Sequence, residues 1–101
     1  MKNDICGTYW LCRNDSGNIW LTQGNRPTKT TGGFQYNHTK DTELGWLQLY
    51  NKDGDEEEDW SYKDGNKVKS SDYHHLKFPE VPKGECIEIE IGKSGRVYTY
   101  D

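Results

Sequence analysis

His74 and His75 are adjacent imidazoles, the side chains best suited to move protons or ligate metals near neutral pH. On a strand, neighbouring side chains point to opposite faces, so this pair could not hold one ion together. In a loop it could, with Asp72 or His38 as a third ligand. The sequence shows no further partners, and the reading is two surface or partly buried imidazoles beside Tyr73. Cys6, Cys12 and Cys86 have no CxxC spacing and do not make the close four-ligand set of a structural zinc. No motif brings a cysteine to a histidine for nucleophilic catalysis, and Gly32-Gly33 is too short for a phosphate loop. No catalytic residue, metal site or cofactor is assigned, and the chain reads as non-enzymatic.

The strongest charge run is Asp53, Asp55, Glu56, Glu57, Glu58 and Asp59. Asn51, Asp53 and Asp55 mimic the start of a calcium loop. The required sixth-position glycine is Glu56, however, and the twelfth position is Tyr62, so the EF-hand reading fails. A solvated acidic loop is the plain reading. The sharper one is an acidic finger docking on a basic groove of a partner, where complementary charge raises on-rate and specificity.

The elements that must position these groups are strands. The chain has no alanine, yet four Trp and seven Tyr, and its aromatics fall in short alternating runs. Residues 8–13 (TYWLCR) and 18–23 (NIWLTQ), joined by Asn-Asp-Ser-Gly, read as a β-hairpin. Residues 24–33 read as loop or irregular edge, 34–37 as a short strand, and 43–51 (ELGWLQLYN) as a clearer one. Residues 60–63 resume as a strand after the acidic turn, and Asp64-Gly65-Asn66 signals another turn. Residues 70–83 are irregular, because Pro79 and Pro82 exclude a central strand. Residues 85–91 (ECIEIEI) put Ile87, Ile89 and Ile91 on one face and Glu88 and Glu90 on the other. A glycine-bounded turn then leads to a return strand at 96–100. The expected fold is all-β: a small antiparallel barrel or compact sandwich of about six or seven short strands, with little or no helix, in one domain.

Trp10, Trp20, Trp46 and Trp60 fall opposite the aliphatic positions. With only fourteen Leu, Ile and Val residues, these rings are expected to help fill the core. Any that the core cannot take would be anchors for a partner or a stacking platform. Trp20, Trp46, Trp60 and Tyr62 are the candidates.

The formal net charge is −4, with +2 in residues 1–52 and −6 in residues 53–101. That distribution disfavours direct nucleic-acid binding, which calls for a basic stripe. The N-terminus lacks the apolar run of a signal peptide, and no stretch approaches a membrane span. Three reduced thiols in a cytoplasm are the expectation, with a Cys6–Cys86 or Cys12–Cys86 bridge the alternative in a secreted context.

Three stretches together carry a resemblance: residues 9–27, with their Tyr-Trp strand, Asn-Asp-Ser-Gly turn and Asn-Arg-Pro end; residues 46–50; and Leu-Lys-Phe-Pro-Glu-Val at 76–81 running into the Glu/Ile strand. This pattern resembles small uncharacterised proteins of phages and mobile elements of gut bacteria, in about half of the chain. The resemblance implies a cytoplasmic accessory protein in a bacterial host, and it assigns no catalytic residues. The expected function is therefore binding of a host protein with a basic surface, as an inhibitor of a nucleic-acid-directed defence system. Two alternatives are a sugar or nucleotide module using an aromatic face, and a self-associating virion or structural accessory.

Overall fold

In the computed structural model, which describes residues 5–30, 33–35, 46–50, 60–63, 66–69, 73 and 75–100, every regular element is a strand. β1 (Gly7–Arg13) and β2 (Ile19–Thr22) form the hairpin expected from their flanking turn chemistry. Asn14 organises that turn. Its N–H donates to Asn18 O at 3.1 Å, while its Oδ1 accepts from the Asn18 N–H at 3.0 Å and from the Ser16 hydroxyl at 2.7 Å. Gly17 supplies a φ of 96°, which side chains rarely adopt.

β3 (Thr28–Thr30) and β4 (Gly33–Gln35) pair as a ribbon, so the 24–33 region expected as loop contains a strand. Thr28 and Thr30 are β-branched, and that local preference outweighs the turn signals around them. β5 (Trp46–Tyr50) follows, then a second ribbon of β6 (Trp60–Lys63) and β7 (Asn66–Lys69). β7 begins at Asn66, the last residue of the Asp64-Gly65-Asn66 turn signal, and had no strand expectation of its own. β8 (Glu85–Ile91) and β9 (Val97–Thr99) close the series as a hairpin.

Five strands make one antiparallel sheet in the order β5-β2-β1-β8-β9. The all-β, antiparallel expectation holds. The sheet stays open rather than closing into a barrel, with β5 and β9 at its two ends. Its two local hairpins, β1–β2 and β8–β9, meet along β1–β8, where Tyr9 faces Ile89, Leu11 faces Ile87 and Cys12 faces Cys86.

Cys12 and Cys86 are joined by a disulfide, with Cα atoms 4.1 Å apart at a sequence separation of 74. This corrects the expectation of three thiols in favour of the Cys12–Cys86 alternative; Cys6 is not part of the bond. Sequence spacing could not reveal the pairing because it depends on a long-range register.

The register separates two faces. On the inner face, Tyr9, Leu11, Leu21, Leu47, Leu49, Ile89 and Ile91 are buried. Tyr73 and the irregular residues 75–84 cover them, contributing Tyr73, Leu76 and Val81 to the same cluster. The Tyr9 and Tyr73 rings meet edge to face at 6.2 Å. Arg13 ties this cover down: its Nε donates to Val81 O at 2.8 Å and its Nη1 to Gly17 O at 2.9 Å. Gly84 N–H donates to Arg13 O at 2.7 Å beside it.

The expectation that tryptophan fills the core is corrected for the described rings. Trp10 and Trp20 are half-buried and Trp46 is 40% exposed, while the buried aromatics are Tyr9 and Tyr73. Among the described residues, the inner face is covered by a loop that contributes Tyr73, Leu76 and Val81. Among the described residues no helix is long and apolar enough to cross a membrane.

Candidate functional site

The outer face of the sheet gathers the unusual residues. Alternation along the strands sends Trp10 and Cys12, Trp20 and Thr22, Trp46 and Gln48, and Glu88 and Glu90 to this side. Tyr98 and Tyr100 join them, since Tyr98 pairs with Glu90 and the Tyr100 N–H donates to Glu88 O at 3.3 Å. One row across the sheet therefore reads Trp46, Thr22, Trp10, Glu88 and Tyr100. It crosses four inter-strand spacings, about 19 Å. The next row reads Gln48, Trp20, Cys12 and Cys86.

Each ring is positioned by a nameable contact. Trp10 Nε1 donates to Gly24 O at 3.1 Å, and the Arg26 guanidinium lies 5.4 Å from the Trp10 ring centre, a cation–π distance. Trp20 and Trp46 pack edge to face with centroids 4.5 Å apart. The small or polar residues between the rings are sheltered: Cys12 is fully buried, Thr22 is 1% exposed and Gln48 8%. Trp46, Tyr98 and Tyr100 are the described large hydrophobics left open, at 40%, 48% and 50% exposure.

Carboxylates stand between the exposed rings. The Tyr100 hydroxyl donates to Glu90 Oε1 at 2.8 Å. That bond holds the Tyr100 phenol above its ordinary pKa of 10.0, with the negative charges of Glu90 and Glu88 adding to it and the Thr8 hydroxyl acting the other way. Chemically the face offers flat apolar rings for stacking and carboxylates for a cation.

Of the residues singled out in the sequence, Trp20 and Trp46 come together on this face. Trp60 and Tyr62 lie in β6. Asp53, Asp55, Glu56, Glu57, Glu58 and Asp59 lie outside the described residues, as do His38, Asp72 and His74. His75 is exposed, and among the described residues no group of three or more His, Cys, Asp or Glu could hold a metal. Sequence reasoning did not select Tyr98 and Tyr100 for the site. The signal was present in the alternation of residues 96–100, which places both rings on the side of Glu88 and Glu90.

No protein family, curated protein or solved structure matches the chain.

Proposed function

We propose that this chain is a non-enzymatic binding protein that docks on a basic surface of a partner protein through the outer face of its sheet. One observation carries the reading: Trp46, Tyr98 and Tyr100 are exposed on a single face, with Glu88 between Trp10 and Tyr100 and Glu90 beside Tyr98. Large rings at an interface act as anchors, and carboxylates beside them select lysine or arginine over neutral partners. The acidic run 53–59 remains a second proposed source of complementary charge. In the phage setting implied by the sequence resemblance, the partner is a host protein, and the proposed outcome is inhibition of a nucleic-acid-directed defence system.

The test compares wild type with Trp46→Ala and with the double variant Glu88→Lys/Glu90→Lys, as bait in a bacterial lysate and then against the purified captured protein. The expected result is loss of affinity by about tenfold or more in both variants and a steep fall of wild-type binding with salt. Undiminished binding of both variants would refute the reading. A second reading, stacking of a sugar on the same rings, draws on the same exposed row. It predicts saturable quenching of Trp fluorescence by oligosaccharides, whereas a pure protein binder shows none.

A further inference from the structure

The groove between residues 75–77 and the β8–β9 turn lies beside Leu76 of the core cluster and carries charge opposite to that of Glu88 and Glu90. It is an open groove of about 560 Å³ lined by His75, Lys77, Ser94, Gly95, Arg96 and Val97. That volume falls within the roughly 300–1,000 Å³ of small-molecule sites. Three of the six lining residues carry basic groups and none is acidic, in a chain whose net charge is −4. Lys29 elsewhere is matched by Asp15 at 3.3 Å, but among the described residues no carboxylate pairs with His75, Lys77 or Arg96.

The basic groups are held together by the fold. Leu76 is buried in the core cluster, with its N–H donating to Tyr73 O at 3.0 Å, so His75 and Lys77 emerge on either side of a fixed point. Across the groove, the Gly92 N–H donates to Arg96 O at 2.8 Å and the Gly95 N–H to Gly92 O at 3.0 Å. Gly95 takes a φ of 88° and sits against Leu76, where a Cβ on it would come 3.6 Å from Leu76 Cδ2. The same leucine thus locates both walls.

We propose that this groove binds a phosphorylated small molecule. Arg96 offers a planar fork for phosphate oxygens, Lys77 a compact positive charge and Ser94 a hydroxyl donor. Val97, part of the apolar lining, faces the organic portion. An extended nucleic acid is the poorer fit, because residues 53–101 carry a net charge of −6 and would repel a long polyanion outside the groove.

The test is titration of the full chain with AMP, inorganic phosphate, adenosine and a single-stranded oligonucleotide, read by amide chemical shifts. AMP is expected to bind saturably, more tightly than inorganic phosphate, with shifts concentrated at residues 75–77 and 94–97, and adenosine is expected not to bind. Arg96→Glu and Lys77→Gln, both at exposed positions, should each weaken AMP binding by about tenfold, while Lys93→Gln, outside the lining, should leave it unchanged. Equal affinity for AMP and adenosine, unchanged binding in Arg96→Glu, or a tighter oligonucleotide complex would each overturn the assignment.

Discussion

Reducing the Cys12–Cys86 bond should remove a large share of the protein's stability, because that bond clamps the least local seam of the sheet. The seam joins β1 to β8 across a sequence separation of 74. Closing a loop of that length in the unfolded chain costs, by the chain-entropy relation, about 4.5 kcal/mol at 25 °C. Measured disulfides more often give about 2–4 kcal/mol, since unfolded-state solvation and residual structure reduce the entropic figure. With a urea slope of about 1–3 kcal/mol per molar, the midpoint should fall by about 1 M or more on reduction. The assay is urea unfolding followed by Trp fluorescence, with and without dithiothreitol. Cys12→Ala/Cys86→Ala serves as the reference, because its midpoint must not respond to reductant. Alkylation of the denatured but unreduced chain should modify one cysteine, Cys6. Three alkylated cysteines, or a reductant shift of only a few tenths of a molar, would refute the reasoning. The outcome also bears on the expected cytoplasmic setting, where thiols are kept reduced. There the fold would have to persist on its core and ladders alone.

Arg13→Lys keeps the charge but loses the fork that reaches Val81 O and Gly17 O together, so it should cost about 1–3 kcal/mol in the same unfolding assay. The loss should be accompanied by faster amide exchange in residues 75–84. Tyr100→Phe should remove a phenol that titrates above the ordinary 10.0 from the absorbance titration at 295 nm, since the Glu90 hydrogen bond raises the Tyr100 pKa. The sign follows from the raised folded value: the Tyr100–Glu90 bond contributes in full below the unfolded pKa and is lost as pH rises through the folded one.

The strand alternation was legible from the chain because it needs only the period of two. Leu47 and Leu49 alternate with Trp46 and Gln48, and the Ile positions of β8 with Glu88 and Glu90; burial follows this at Trp46–Leu47 and Ile89–Ile91, while Gln48 is buried as well and Ile87 and Glu88 are both half-buried. Asn14 and Gly17 announced the first turn for reasons internal to five residues. What the chain withheld was long-range. The Cys12–Cys86 bond, the burial of Tyr73 against Tyr9 and the meeting of Leu76 with Gly95 each join segments separated by loops whose closure leaves no local pattern. The tryptophan expectation failed for a related reason. It compared the aliphatic count with a two-layered core, whereas a loop supplies the second layer with Tyr73, Leu76 and Val81.

That substitution decides how the outer face can be used. Because a loop covers the inner face, the rings of the outer face are not required there, and the two ends of the row, Trp46 and Tyr100, stay exposed. Yet the row is not merely decorative surface, since Cys12, Thr22 and Gln48 lie sheltered among its rings. Trp20, packed on Trp46 and next to Cys12 across the β1–β2 pairing, links the binding face to the disulfide. An exposed ring held by such neighbours loses little side-chain freedom on meeting a partner, and that preorganisation favours affinity. It follows that loosening the β1–β8 seam by reduction should weaken partner binding through Trp20 and Trp46 even though neither cysteine is itself exposed.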